Sequence, residues 1–444
     1  MNPKKHKALK HYLDYIKPFT DKRPYLKKIL KIIWIKIYRL QLKLNSIYLA
    51  ADLNKTYWIN PERILFSQLR SESSNRLYEN KIRKTFKYGR KICNIVKIED
   101  KAMYQSFHFH FIRGKKWKET DYYKQVVHRI KGGESLWRCS SVKEYNERCA
   151  KLDKLYVRIK NNGLESQKTL NKNTLLKESR ILNVADEITI LVGPEGEMIH
   201  SHSGTHRLNM AKVIGLDKVP VQILYRHKNW LRFRKEMIKY IRREMRGKVY
   251  QPILHPDLSD IPSLWSDKRF KIIRNNLSAR EGTLLDISAH WGYFCNKFEN
   301  LGFQCTALES HEKNSYFMKK LKRAEMLNFD IIEKSIFDED LLDFLEEPIS
   351  FDIVIALNLF NQKIDIGKEG IADRFSFILR KIKAKELYLQ IPGEEASQGL
   401  DDKDKRETEN FSYRNLMERI MDNTQFSQVK KIGEERDHGV YKLC

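Results

Sequence analysis

The sequence predicts an α/β protein: a C-terminal sheet of seven strands over residues 282–444, an α+β domain before it and a basic helix at the N-terminus. Three observations predict this. Short apolar runs alternate with helix-length segments from residue 283 to the end, the pattern of strands connected through helices. The middle of the chain mixes helical periodicity with short alternating runs. Charge also divides the chain, because residues 281–444 carry 23 Lys+Arg against 31 Asp+Glu whereas residues 1–280 carry 61 against 26, within a net charge of +27.

A chain of 444 residues, 41% hydrophobic and 11% aromatic, is too long for one ordinary core. The expected division is a basic helical segment at 1–50, an α+β domain at 51–250, a linker and leading helix at 251–281, and the C-terminal sheet at 282–444. Residues 251–265 are the linker because Pro252, Pro256 and Pro262 favour extended or turned backbone. Residues 1–50 hold thirteen Lys/Arg against two acids. Between residues 26 and 44, Lys27, Lys28, Lys31, Lys36, Arg39 and Lys43 interrupt the apolar positions, which argues against a transmembrane span and for a basic amphipathic helix. An anionic surface, nucleic acid or lipid, is the partner such a segment suits. The first residues are polar and basic without an apolar core segment, so a cytoplasmic protein, peripheral to a membrane at most, is expected. The six cysteines, at 93, 139, 149, 295, 305 and 444, show no paired spacing and imply neither a disulfide framework nor a zinc site.

The C-terminal part carries the sharpest motif. A run at 283–287 contains Asp286 and enters Ser288-Ala289-His290-Trp291-Gly292-Tyr293-Phe294, a helical segment follows, and a second run at 304–308 ends in Glu309. Such a βαβ unit puts a tight loop at a helix N-terminus, where a ligand can approach the backbone, and an acid where it can accept from ribose hydroxyls. Further strands are expected at 331–337, 351–358, 386–391, 427–432 and 439–443, with a helix at 413–421. The nicotinamide-dinucleotide fingerprint of three spaced glycines is absent.

These residues resemble the class I S-adenosylmethionine-dependent methyltransferase family, whose first motif reads approximately D-x-G-x-x-x-G-Y-F followed by a spaced acid. The resemblance implies a Rossmann-like seven-stranded fold, S-adenosylmethionine as cofactor, and Asp286, Ser288, Gly292, Tyr293, Phe294 and Glu309 as cofactor-binding positions. The chain departs from the family at Ser288, where the family has its first glycine. The resemblance also places Asn358, at the end of the fourth strand, and His290, in the loop, as the candidates for catalysis. The Asn-Pro-Pro-Tyr type of motif is absent, since Asn358 is followed by Leu359 and Phe360, so the acceptor stays open.

In the middle domain, residues 142–161 have helical spacing with Tyr145, Cys149, Leu152, Leu155, Tyr156 and Ile159 on one face, and residues 106–112 alternate as a strand would. Strands are expected at 187–192, 197–202 and 219–224. Between the last two, Ser203-Gly204-Thr205-His206-Arg207 opens a helix closed by Gly215, and a basic helix follows at 230–246. Backbone N–H groups at a helix start beside a guanidinium make an anion site. His200, His202 and His206, and separately His108 and His110, share strand faces, but no carboxylate or thiol accompanies them and no metal is expected. The stretch with its Asn162-Gly163-Leu164 turn and Gly204-Thr205-His206-Arg207 box resembles the ParB-N/sulfiredoxin family. That resemblance implies a phosphate site for a nucleoside di- or triphosphate at Gly204, Thr205, His206 and Arg207. Thr205 stands where sulfiredoxin has its cysteine, which excludes sulfinic acid reduction.

The expected function is therefore a methyltransferase acting on an unidentified acceptor, coupled to a nucleotide-binding module. Two alternatives follow from the same residues. One is a nucleotide-dependent phosphotransferase or switch carrying a degenerate methyltransferase scaffold; the other is a non-enzymatic basic protein that binds nucleic acid or a membrane surface.

Overall fold

A computed structural model describes residues 55–69, 84–88, 91–166, 169, 187–201, 203–345, 350–357, 359, 367–392, 413–422 and 424–444. The basic segment 1–50, His202 and Asn358 lie outside the described residues. The chain divides into two compact units between Arg234 and Lys235.

In the first unit the strands are β1 (Tyr57–Ile59), β2 (Phe66–Gln68), β3 (Lys84–Tyr88), β4 (Lys91–Lys97), β5 (Ile188–Val192), β6 (Met198–His200) and β7 (Val219–Arg226). The helices are α1 (Ala102–Phe111), α2 (Asp121–Lys131), α3 (Val142–Asn162) and α4 (Thr205–Ile214), after which α5 (Lys228–Glu244) carries the chain into the second unit. The sheet order is β1-β7-β5-β6-β2-β4-β3, with parallel pairs only at β7/β5 and β6/β2. Local chemistry sets the helix ends. Ser141 and Glu144 form a capping box at the start of α3, and Gly163, at φ 71°, ends it. Tyr145, Cys149, Leu152, Tyr156 and Ile159 on α3 are buried against Phe107 of α1, Tyr122, Tyr123 and Val126 of α2, and Met210 of α4.

One element differs from expectation. Residues 106–112 are not a strand; 106–111 belong to α1, which Ile112 caps and which buries Met103, Ser106 and Phe107 along one face. The alternation of histidine and phenylalanine from 107 to 111 mimics period two, but Phe109 on the opposite side is 43% exposed, as a helical rotation requires. His110 accordingly stacks on Trp117, with ring centroids 4.1 Å apart, and hydrogen-bonds the Asp153 carboxylate at 3.0 Å.

The second unit contains α6 (Lys268–Arg274), β8 (Gly282–Ile287), α7 (Tyr293–Glu299), β9 (Phe303–Leu308), α8 (Glu312–Glu325), β10 (Asp330–Ile332), β11 (Ser350–Ala356), α9 (Gly367–Lys381), β12 (Lys383–Pro392), α10 (Tyr413–Asp422), β13 (Val429–Glu435) and β14 (His438–Leu443). Its sheet runs β10-β9-β8-β11-β12-β14-β13, parallel except for β14. This is a Rossmann-like α/β sheet with seven strands, as expected. The third strand is shorter than residues 331–337, ending at Ile332. Both faces are covered: Phe270, Phe294, Phe298 and Met318 pack on one, and Phe375, Ile378, Met417 and Ile420 on the other. Two-sided burial explains why the central strands read as continuous apolar runs.

The strand order reverses between β8 and β11. Ligands of open α/β sheets bind at that reversal, beyond the carboxyl ends of the strands. Residues 251–265 are packed in the same unit, where Ile253, Leu258 and Trp265 are buried and Pro256–Leu258 forms a 3-10 turn. No helix among the described residues is long and apolar enough to cross a membrane.

Candidate functional site

The expected cofactor residues converge at the carboxyl ends of β8 and β9. Parallel pairing sets Asp286 beside Ile355 of β11 and Ala307 of β9. The loop after β8 then folds back, and the Ala289 N–H donates to Leu308 O at 3.0 Å. That reversal needs left-handed backbone: Ser288, His290 and Gly292 have φ of 60°, 56° and 76°. Ser288 thus occupies a conformation that glycine adopts without steric cost, which is the physical content of the departure at this position. Gly292 caps α7, and a Cβ there would meet Phe329 and Met318 at 3.0 and 3.1 Å. The requirement for glycine is therefore helix packing as well as φ. Phe294 is buried in the core below the loop, and the Tyr293 hydroxyl hydrogen-bonds the Asp267 carboxylate, so neither ring is an open ligand surface.

Glu309 ties the two strand ends together. Its Oε2 accepts from the His290 N–H at 2.7 Å and its Oε1 from the His311 N–H at 2.9 Å. Asn314 Nδ2 also donates to Oε1 at 3.5 Å, and since a carboxylate offers about four lone-pair sites, these three bonds leave room for one further donor. Burial nevertheless raises its pKa, against the hydrogen bonds from His311 and His290. Asp286 is fully enclosed, and burial followed by the Glu309 charge pushes its carboxyl up to about 8. At neutral pH it is largely protonated. His290 is the opposite case: burial pulls its imidazole down to about 3, and its Nδ1 has no hydrogen-bond partner among the described residues. A neutral ring that resists protonation, stacked on Trp291 at 5.2 Å, is suited to shaping the loop and ill suited to holding a proton.

The structure adds residues that the sequence reading missed. Arg269 on α6 is 1% exposed, lies 4.2 Å from the Trp265 ring and 5.3 Å from the Tyr250 ring, and donates from Nη1 to Gln390 Oε1 at 2.8 Å. Burial lowers its pKa from the guanidinium value. Three donors of this group, Arg269 Nε, Trp265 Nε1 and Gln390 Nε2, have no acceptor among the described residues. Donors buried without acceptors are rare and costly in native proteins; the buried Glu435 carboxylate, whose charge acts on Arg269, likewise has its Oε2 unmatched among the described residues. The signal in the sequence was an arginine on the apolar face of a short helix, in register with Trp265 and Ile273 and next to Phe270.

In the first unit, the box opens α4 as expected, with Gly204 left-handed at φ 75°. A Cβ at Gly204 would meet Ile188 at 2.5 Å, so glycine also lets the loop pack against β5. The Thr205 carbonyl accepts from Asn209 Nδ2 at 2.7 Å. His206 turns inward, stacking on Phe107 at 5.9 Å and meeting the Trp137 ring edge-on at 4.4 Å. Burial and the Arg148 charge pull it down to about 3, so it adds no positive charge to the helix start. Arg207 has its Nη1 3.7 Å from Glu187 Oε1, and the two side chains are 13% and 2% exposed. His200 sits between Ser67 Oγ at 3.3 Å and Ser203 O at 3.0 Å.

No family model matches the chain, and no curated protein matches it. Solved structures do resemble it. The bifunctional kinase-methyltransferase WbdD is 18% identical over 46% of this chain and 45% of its own, with a TM-score of 0.37. PH0226 from Pyrococcus horikoshii OT3 is 13% identical over 46% of this chain and 97% of its own, with a TM-score of 0.34. The N-methyltransferase NodS from Bradyrhizobium japonicum WM9 is 11% identical over 40% and 92%, with a TM-score of 0.29. This chain spans about half the length of the WbdD chains it matches.

Proposed function

We propose that the second unit is an S-adenosylmethionine-dependent methyltransferase domain. The observation that carries this reading is the pairing of Glu309 with the left-handed loop at 288–292, at the strand-order reversal of a sheet with five parallel strands and an antiparallel hairpin. Bound S-adenosylmethionine would supply an electrophilic methyl group on a sulfonium. Glu309 would accept from a ribose hydroxyl, and the unmatched donors of Arg269, Trp265 and Gln390 would take the methionine carboxylate. Asp286, kept neutral, would add no repulsion against that carboxylate. Transfer to an acceptor in line with the methyl requires placement above all, and His290, held neutral, is a positioning residue and not a base in this scheme. Asn358 remains a proposed acceptor-facing residue.

For the first unit, the proposed role is a ParB/sulfiredoxin-like nucleotide-binding module, supported by the left-handed Gly204 at the start of α4. Any phosphate bound there would be held mainly by backbone, because His206 is uncharged and Arg207 faces Glu187.

Ultraviolet cross-linking of methyl-labelled S-adenosylmethionine to the full chain tests the main reading. Labelling that S-adenosylhomocysteine suppresses and ATP does not is the expected result. Labelling equally suppressed by both, or none, would favour the scaffold reading.

A further inference from the structure

Helix α5 presents a single line of positive charge. Within the second unit, Lys235, Lys239 and Arg242 of this helix are exposed at intervals of four and three residues, and Arg246, left-handed just past the helix end, is exposed as well. At a rise of about 1.5 Å per residue the helical part of this stripe is about 10 Å long, with neighbouring cations about 6 Å apart. Arg243 and Lys248, also exposed, widen its far end. The two acids of the helix are kept out of the line: Glu236 turns to Lys313 at 2.5 Å and Tyr316 at 3.1 Å, and Glu244 pairs with Arg243 at 3.5 Å. Like charges at these spacings destabilise a helix, and a helix that needed only solubility would intersperse acids among them.

We infer that this stripe is a docking track for the phosphate backbone of a nucleic acid strand. The geometry separates this partner from a lipid surface. Membrane-bound amphipathic helices sink their apolar face into the bilayer, but here Trp230, Phe233, Met237 and Ile241 are 2%, 7%, 0% and 2% exposed. Apart from Asn229 and Glu244, the exposed residues of the helix are cations, which match a polyanionic strand and offer a plane of lipid headgroups only a narrow line of contact.

The test uses the full chain and a labelled 20-nucleotide single-stranded RNA, read by fluorescence anisotropy across a salt series. Wild-type protein should bind, with affinity falling steeply as salt rises. Combining Lys239→Glu, Arg242→Glu and Arg246→Glu should cost at least tenfold in affinity, and the corresponding Gln variants should lower the salt slope by about 2, as expected for three lost phosphate contacts on a single strand. Matched reversals at the exposed Arg380, Lys381 and Lys383 should leave the slope unchanged. Far-UV circular dichroism identifies any variant that has not folded, and for such a variant the Gln set supplies the readout. The inference is overturned if wild type does not bind the RNA, or if the stripe variants keep its slope. It also falls if the matched control loses as much, or if phosphatidylserine-containing vesicles bind more tightly than RNA through the same residues.

Discussion

The Glu309 carboxylate accepts a 2.7 Å hydrogen bond from the backbone N–H of His290. One acid at the end of β9 therefore holds the conformation of the loop after β8 while keeping capacity for a ligand. Glu309→Gln should separate these tasks, because the amide keeps one acceptor oxygen for His290 but loses the charge. S-adenosylhomocysteine affinity should fall about tenfold, with the fold retained; Glu309→Ala should cost about 1 to 3 kcal/mol in binding and lower Tm as well. Titration calorimetry beside thermal unfolding reads both quantities. Equal Tm losses for the two variants would show that Glu309 only props up the loop.

Arg269 links stability to binding. Removing one member of a buried charged cluster leaves its partners unmatched, here Gln390 Oε1 and the charge of Glu435. Arg269→Met should therefore lower Tm, and cofactor affinity per folded molecule should fall at least tenfold. A variant that unfolds and loses no affinity per folded molecule would make Arg269 a structural residue.

Ser288 holds φ 60°, a region that costs a non-glycine residue roughly 1 kcal/mol. Ser288→Gly should raise Tm by up to about 2 to 4 °C, the shift expected for about 1 kcal/mol in a unit of this size. Binding should be maintained or tightened. A lowered Tm would mean that the Ser288 side chain supports the loop.

Asp286 makes stability depend on pH. Its folded pKa of about 8 lies above the model-peptide value, so the folded state binds the extra proton between roughly pH 4 and pH 8. The stability associated with that proton is complete below pH 4 and is lost as pH rises toward 8, at a slope approaching 1.4 kcal/mol per pH unit. Asp286→Asn mimics the neutral carboxyl and should flatten this dependence. Denaturant unfolding of wild type and variant at pH 5, 6 and 7 gives the two slopes, and parallel slopes would assign the dependence to another group.

Much of this was legible in the sequence. The apolar runs of β8, β9, β11 and β12 were readable because strands covered on both faces must be apolar throughout, and Asp286 and Glu309 stood out as acids at their ends. Other features were not readable, for local reasons. Phe107, Phe109 and Phe111 imitate a strand although their helix buries only one side. Arg207 was read as a phosphate ligand because nothing in the sequence marked Glu187, just ahead of β5, as the carboxylate it faces. Arg269 was hidden because its hydrogen-bond partner Gln390 lies 121 residues further along the chain.

The pairing of Arg207 with Glu187 changes what a substitution there should do. Arg207→Ala removes a guanidinium 3.7 Å from a carboxylate that is 2% exposed, which should destabilise the first unit. Glu187→Gln in the same chain should recover part of that loss. Thermal unfolding of the two single variants and the double variant checks the coupling; additive losses would mean that the 3.7 Å approach carries no interaction.

Calorimetric titration of the full chain with S-adenosylhomocysteine tests the central claim most directly. Saturable binding of one ligand per chain, weakened at least tenfold in Arg269→Met while that variant stays folded, is the predicted result. No heat of binding at millimolar ligand to folded wild-type protein, or unchanged affinity in Arg269→Met, would contradict the account.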